Sequence, residues 1–254
     1  MCGRYTLIRL ADFIDIFPWI HPPDEFPPER YNIAPTQSIA AVPNNGKDTV
    51  EYFHWGLIPS WAKDPSIGSR MINARAETLA EKPAFRTALK RRRCLIPADG
   101  FYEWQKRADG KTKQPMYIRM RSRKPFAFAG LWETWHDKTG AGGEIPSCTI
   151  VTTQPNTLMR AIHDRMPVIV RPEDYRKWLA PGERPAEELA QLLTTFPADE
   201  MEAFPVSKRV NSPANESADC IDPQLPSDQP TGLPPKPPHS KKKKVDSDSG
   251  GLFG

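Results

Sequence analysis

The sequence lacks the features that mark several large protein classes. None of its apolar runs approaches the roughly 18 residues that a membrane-spanning helix requires. Its first residues contain no apolar segment ahead of a cleavage site, so we expect no secretory signal peptide. The four cysteines are scattered, without a CxxC pair or zinc-ligand spacing, which is typical of free thiols in a reducing compartment. These absences predict a cytoplasmic protein with no membrane partner.

Motifs for common cofactors are also missing. The sequence contains no GxGxxG, no GxxxxGK[ST] and no HExxH, so nothing supports a nucleotide cofactor or a zinc hydrolase, and we expect neither cofactor nor metal. The net charge of +4 permits an anionic partner without demanding one.

The composition changes near residue 222. Residues 222–254 are rich in proline and lysine and nearly devoid of apolar side chains until Leu252 and Phe253. Such a stretch cannot bury enough apolar surface to offset its ordering entropy, so it is predicted to be a disordered tail. Residues 1–221 show no internal repeat and are predicted to form a single domain.

Short strand-like runs alternate with fewer helical patterns in this domain. Strands are predicted at 38–42, 49–55, 116–120, 126–135 and 148–153. Helices are predicted at 10–17, 83–92, 155–162, 172–179 and 185–195. The order of these elements does not follow a βαβ repeat. The predicted fold class is therefore α+β, with a mainly antiparallel sheet or barrel at its core and helices at the periphery.

Cys2 is the most informative residue. If the initiator methionine is removed, Cys2 carries an α-amine and a thiol two carbons apart, and both groups titrate close to neutrality. An amine attacks a carbonyl to give an imine, and the neighbouring thiolate then closes a five-membered thiazolidine ring. The alternative interpretation is that Cys2 is simply an apolar residue of a first strand.

Three further segments combine polar side chains with short apolar runs. They are 71–78 with Asn73 and Arg75, 97–106 with Glu103, and 161–170 with His163 and Arg165. Taken separately, Asn73 reads as a turn residue, Glu103 as a surface strand residue and His163 as a helix C-cap. Taken together with an N-terminal cysteine, they supply an amide, a carboxylic acid and an imidazole, which are the groups needed for proton transfer at an aldehyde.

Seven motifs in order resemble the SOS-response-associated peptidase (SRAP) family over about residues 2–220. They are MCGRYTL, RYNIAPTQ, HWGLIPSWAKD, INARAET, DGFYEW, IHDRMPVI and PVSKRVN. The resemblance implies a protein that binds abasic sites in single-stranded DNA and shields them during the DNA-damage response. It also implies autocatalytic removal of Met1, a covalent thiazolidine crosslink through the N-terminal cysteine, and an accompanying abasic-site lyase activity.

The resemblance assigns catalytic roles to four residues. Cys2 matches the crosslinking cysteine, and Asn73 matches the asparagine that orients it. Glu103 matches the acid that assists imine formation and ring closure. His163 matches the histidine that helps to open the deoxyribose ring.

The resemblance also implies DNA contacts. Arg4, Arg75 and Arg165 would face phosphates, and Trp61 would stack near the lesion. Some members have a second tryptophan after the first, where this sequence has Ala62, which puts a wedge of two indoles in doubt.

Two other functions remain open on the sequence alone. A class II glutamine amidotransferase also begins with MCG, but its usual glutamine-binding motifs are absent here. A non-covalent single-strand-binding module would use the same aromatic and basic residues and would not need a free Cys2.

Assembly and partners are predicted more loosely. We expect a monomer that associates with the nucleoid. The ending with Leu252 and Phe253 is similar to peptides that bind the DNA sliding clamp, although the glutamine usual in such peptides is missing.

Overall fold

The computed structural model describes residues 2–137 and 143–224 of the chain, and these form thirteen strands and five short α-helices. The strands are β1 (Tyr5–Leu7), β2 (Arg30–Ile33), β3 (Ser38–Pro43), β4 (Glu51–Trp55), β5 (Asn73–Arg75), β6 (Arg93–Ala98), β7 (Gly100–Lys106), β8 (Lys113–Met120), β9 (Phe126–His136), β10 (Glu144–Thr153), β11 (Met166–Pro167), β12 (Ile169–Val170) and β13 (Met201–Pro205). The α-helices are α1 (Leu10–Ile16), α2 (Arg86–Arg91), α3 (Thr157–Arg160), α4 (Tyr175–Trp178) and α5 (Ala186–Ala190). Turns of 3₁₀ helix lie at Pro65–Arg70, Ala76–Thr78, Pro172–Asp174, Ala198–Glu200, Lys208–Asn211 and Ala218–Ile221.

Five strands close into a barrel. Their order is β10–β4–β3–β6–β9, and β9 pairs again with β10, so the row returns to its start. All of these pairings are antiparallel except β10 with β4. The long strand β10 also pairs with β5 and β11, and β12 pairs antiparallel with β9. Closure pairs the backbone groups of the five strands with one another, so none of them is left at an open edge.

A second sheet of five strands packs against the barrel. Its order is β13–β8–β7–β1–β2, with every pairing antiparallel. The ring of Tyr5 on β1 meets Trp55 and Phe128 of the barrel edge to face, at centroid distances of 5.4 and 5.8 Å. Phe101 on β7 contacts Phe128 in the same way at 6.0 Å. Because such aromatic contacts bury large apolar areas, the two sheets share one hydrophobic core.

The predicted fold class is confirmed: the domain is α+β, with a mainly antiparallel barrel and short helices at its periphery. Every predicted strand is present. The predicted helices are present but shorter, so that the pattern at 83–92 becomes the six-residue α2. No helix in the described part of the chain is long and apolar enough to cross a membrane.

The chain remains attached to the second sheet slightly beyond residue 221. Pro223 forms a β-bridge with Val206, and the backbone N–H of Gln224 donates to the carbonyl of Pro205 at 2.8 Å. Residues 225–254 lie outside the described residues. The predicted boundary at residue 222 and the predicted tail therefore stay predictions.

Candidate active site between the two sheets

The first strand brings Cys2 to the side of Glu103. β1 and β7 are antiparallel, with Tyr5 paired to Phe101. Continuing this register towards the start of the chain places Gly3 opposite Glu103. Cys2 therefore lies beside the middle of β7, just before the start of β1.

Asn73 reaches the same point from the barrel. It begins β5, which pairs in parallel with β10. Its side-chain amide Nδ2 donates to the backbone carbonyl of Cys2 at 2.8 Å. The other side-chain atom, Oδ1, is buried and accepts no hydrogen bond. Asn73 thus fixes the backbone of Cys2 and leaves a buried acceptor next to it.

Glu103 is almost completely buried, with 2 % of its surface exposed. Removing a carboxylate from water disfavours its charged form, so burial raises the pKa of Glu103, and the nearby His163 opposes this shift. The distance from His163 Nε2 to Glu103 Oε2 is 3.9 Å, too long for a direct hydrogen bond.

The imidazole of His163 is oriented by its own turn. The backbone N–H of Arg165 donates to Nδ1 at 3.0 Å, which requires a lone pair on that nitrogen. The neutral ring therefore carries its proton on Nε2, the atom that faces Glu103. The Asp164 carboxylate lies 2.9 Å from Nδ1 and becomes the partner of that nitrogen when the ring is doubly protonated.

The thiol of Cys2 is fully buried. Burial raises its pKa far above the ordinary value, and the negative charge of Glu103 adds to the shift. The thiol is therefore neutral in this arrangement. Any reaction that uses it as a nucleophile needs a base within reach.

Two of the predicted DNA contacts are buried and bonded to protein acceptors. Arg165 makes a two-pronged contact with the Glu77 carboxylate at 2.7 and 2.8 Å and donates to the carbonyl of Thr152. Arg4 donates to Asn32 Oδ1 at 2.7 Å and to the carbonyl of Val210 at 2.6 Å. In this structure both guanidinium groups tie separate segments of the chain together.

The other two predicted DNA contacts are exposed. Arg75 ends β5, two residues after Asn73. Trp61 is 54 % exposed and lies in the loop after β4. That loop closes where Gly56, at φ +143°, meets Gly68: a Cβ on Gly56 would lie 2.5 Å from the carbonyl oxygen of Gly68. Ala62 is buried, and its carbonyl accepts from Trp135 at 2.8 Å, so Trp61 alone is presented there.

A cleft of about 870 Å³ opens beside His163. Its lining includes an indole and three cationic side chains, Trp104, Lys106, Lys113 and Arg160. The indole is held in place, since its Nε1 donates to Asn211 at 2.8 Å and the guanidinium of Arg4 lies 5.7 Å from its ring centroid. Cationic and aromatic side chains in one groove are typical of single-stranded nucleic-acid binding.

Comparison with known proteins identifies the family. The sequence model of the SOS response associated peptidase (SRAP) family matches residues 1–213. The chain belongs to the SRAP family. Membership disfavours the glutamine amidotransferase alternative, since the SRAP match extends over residues 1–213.

Relatives agree with this assignment. The chain is 51 % identical over 226 residues to the abasic site processing protein YoaM of Bacillus subtilis, covering 87 % of this chain and 98 % of the relative. It is 31 % identical to the abasic site processing protein YedK of Escherichia coli, covering 88 % and 100 %. A crystal structure of a protein from Bacteroides thetaiotaomicron matches with a TM-score of 0.79 and 29 % identity, covering 88 % of this chain and all of that one.

The four residues predicted for catalysis are therefore close together in space, although up to 161 positions separate them in sequence. The predictions missed the protein partners of the buried arginines, Glu77 and Asn32. They also missed the cationic cleft. Lys106 and Lys113 face each other across the β7–β8 hairpin, and a hairpin prediction for 100–120 would have paired them.

Proposed function

We propose that this chain processes abasic sites in single-stranded DNA by forming a covalent thiazolidine crosslink through Cys2. The names of the relatives support abasic-site processing. The observation that carries the chemistry is the position of Cys2. It follows a removable methionine in sequence and is bonded to Asn73, with Glu103 and His163 beside it.

Removal of Met1 comes first, because the amine of Cys2 is otherwise part of a peptide bond. In the proposal the Cys2 thiol attacks the Met1 carbonyl, and water then releases methionine, so the chain acts as a cysteine autopeptidase. The new amine of Cys2 then donates to the buried Oδ1 of Asn73, which accepts no hydrogen bond from any of the described residues. Asn73 thus holds both the carbonyl and the amine of the reacting residue.

The crosslink balances as aldehyde plus amine plus thiol giving a thiazolidine and one water. Ring opening of the deoxyribose breaks the C1′–O4′ bond and exposes the C1′ aldehyde: His163 gives a proton to O4′, and the C1′ hydroxyl releases its proton to water. The amine adds to C1′, and Glu103, whose raised pKa favours its protonated form, donates to the hydroxyl that leaves as water. The carboxylate so formed then removes the proton of the buried thiol, which closes the ring on the imine carbon.

A lyase reaction competes at the imine. The C=N bond acidifies C2′, so loss of a C2′ proton expels the 3′ phosphate by β-elimination and cleaves the strand. Thiol capture removes the imine before that step. The crosslink therefore shields the lesion from cleavage, and the balance between the two products depends on how fast the ring closes.

DNA binding is proposed along the exposed side of the site. Trp61 stacks on a base, and Arg75 contacts a phosphate. The strand continues into the cationic cleft at Trp104. For Arg4 and Arg165 we propose a mainly structural role: their contacts with Asn32 and Glu77 fix the segments around the site. Any phosphate contact would be limited to the exposed edge of each guanidinium group.

The decisive experiment is intact-mass analysis after incubation with single-stranded DNA that contains one abasic site. The parent chain should lose the mass of one methionine residue and then gain the mass of the DNA less one water. Cys2→Ala should give no heat-stable adduct, while Cys2→Ser should form an imine without a sulfur ring and so give more cleaved strand. Cys220→Ser, which changes another buried cysteine, is the matched control and should crosslink normally.

The same measurement separates the alternatives. Retained Met1 with undiminished DNA binding and no adduct would favour the non-covalent binding module. An oligonucleotide with a tetrahydrofuran in place of the abasic sugar has no aldehyde. It should bind without reacting.

A further inference from the structure

Gln105 lies two residues after Glu103 on β7. Successive side chains of a strand point to opposite faces, so Glu103 and Gln105 share one face. Gln105 Nε2 donates to the carbonyl of Ala161 at 2.8 Å. Ala161 follows α3 directly and precedes His163 by two residues. The face of β7 that carries Glu103 is therefore bonded to the turn that carries His163.

That turn is stiff between its anchors. The backbone N–H groups of Ile162 and His163 both donate to the carbonyl of Met159 at 2.8 Å. At the start of α3, Asn156 accepts from the N–H of Met159 at 2.9 Å and donates to the carbonyl of Phe196 at 2.8 Å. A displacement at Ala161 is therefore passed on to His163 rather than absorbed between them.

The carbonyl of Ala161 is one of those that the end of a helix leaves without an intrahelical partner. In the described structure Gln105 is the residue that satisfies it. This hydrogen bond joins β7 to the turn that carries His163, so it contributes to the separation of 3.9 Å between His163 and Glu103.

We propose that Gln105 is a positioning residue that sets the distance and alignment between Glu103 and His163. This inference rests on the proposed function for its kinetic consequence. It adds a residue that touches neither the DNA nor the reacting atoms but fixes the geometry in which two proton-transfer groups serve one sugar. A shift of the imidazole by about 1 Å costs a reaction of this kind roughly ten- to a hundredfold in rate.

The test compares three substitutions in the full-length chain. Gln105→Ala removes the donor, Gln105→Glu keeps the size but offers only acceptors, and Gln105→Lys retains an N–H donor. Single-turnover rates of adduct formation at saturating abasic DNA should fall roughly ten- to a hundredfold for the first two and recover for the third. The Kd for the tetrahydrofuran oligonucleotide should be unchanged in Gln105→Ala, and the two charged variants are compared by their rates at saturating DNA. Gln191→Ala, an exposed glutamine just after α5, is the matched control.

Two readouts separate positioning from a purely structural role. His163 lowers the pKa of Glu103, so its displacement lets that pKa rise. The decline of the rate with rising pH should therefore move to higher pH in Gln105→Ala. The ring C–H resonance of His163, assigned by its loss in His163→Ala, should also shift. A lower melting temperature with neither change would overturn the proposal.

The outcomes also separate this inference from the proposed function. If the parent chain forms no adduct, the proposed function fails, and the His163 resonance alone still decides the inference. If the parent crosslinks but Gln105→Ala and Gln105→Glu react at its rate with an unchanged His163 resonance, the inference is wrong and the proposed function stands.

Discussion

The proton on Glu103 matters at the residue scale because a buried carboxyl can serve as an acid only while it stays neutral. Burial raises its pKa, which favours the neutral form of the carboxyl group. The same burial makes ionisation costly for the fold. An acid with a raised pKa in the folded state contributes stability at low pH, and this contribution is lost as the pH rises through the folded pKa.

Glu103→Gln separates these two effects. It keeps the side-chain volume but removes the acid, so adduct formation should slow by about 10²–10⁴-fold. Its melting temperature should equal that of the parent at low pH and exceed it at higher pH, where the parent must ionise Glu103. Rapid-quench kinetics and melts from pH 4 to 8 check both expectations. A variant that reacts at the parental rate would exclude Glu103 as the acid.

Arg75 is the exposed arginine of the site, so its effect should be on binding rather than on folding. Arg75→Ala should weaken binding to single strands at low salt and make the slope of log K against log[salt] shallower by about 0.7, as for one lost phosphate contact. The melting temperature should stay the same. Lys177→Ala, an exposed cation on α4, should leave the slope as it is. Salt titrations of fluorescence anisotropy measure it.

The residue types of the site could be predicted from the sequence, but their partners could not. Cys2, Asn73, Glu103 and His163 stand in recognisable motifs, so their roles could be proposed. The contact of Arg165 with Glu77 spans 88 positions. The sequence around an arginine does not show whether its guanidinium group binds a carboxylate of the protein or a phosphate of the DNA. Arg93, in the basic run at 86–93, is likewise fully buried on backbone carbonyls such as that of Trp178.

At the scale of elements, one of the contacts that join β1 to the β6–β7 corner is made by a carboxyl group. Asp99 Oδ2 accepts from the backbone N–H of Ile8 at 2.5 Å. Burial raises the pKa of Asp99 to about 6, with a further contribution from the charge of Asp12. Since the folded state holds this proton more tightly than the unfolded chain does, the domain should lose stability as the pH rises from about 4 to about 6.

The expected loss is about 3 kcal/mol at most, given roughly 1.4 kcal/mol for each unit of pKa. Asp99→Asn keeps an acceptor for Ile8 and cannot ionise, so its free energy of unfolding should change less over this range. Urea titrations at pH 4, 5, 6 and 7 compare the two chains. Parallel curves would show that Asp99 does not titrate as inferred.

Long periodic runs were predictable as elements, and short ones were not. The ten-residue run at 126–135 matches β9 because a long apolar and aromatic run bounded by turn residues is typical of a buried strand. Strands of two or three residues, such as β5 and β11, have no period of their own and exist because β10 lies beside them. The helices are shorter than predicted, and the end of α3 is held by a contact that the local sequence does not reveal, the hydrogen bond from Gln105 to Ala161.

At the scale of the whole molecule, the folded part should be sufficient for the chemistry. A chain that ends at Gln224 retains the contacts of Pro223 and Gln224 with the second sheet. We expect it to crosslink abasic oligonucleotides at the parental rate. Slower crosslinking by the truncated chain would place part of the DNA-binding surface in residues 225–254.

The predicted clamp contact is tested separately. Leu252 and Phe253 lie outside the described residues, so association with a sliding clamp stays a prediction from sequence. Calorimetry of the full-length and truncated chains against the clamp decides it. Binding by the full-length chain alone is expected, and absence of heat at tens of micromolar would exclude it.

The site takes its members from both sheets: Cys2 and Glu103 belong to the five-stranded sheet, and Asn73 and His163 to the barrel side. The distances between the reactive groups therefore depend on how the two sheets pack against each other. A displacement of one sheet relative to the other by less than the width of an atom should slow the reaction strongly, while each sheet keeps its own hydrogen bonds. Moderate urea or heat should therefore abolish crosslinking before the domain unfolds. Solvents that strengthen apolar packing should protect the activity before they change the unfolding transition.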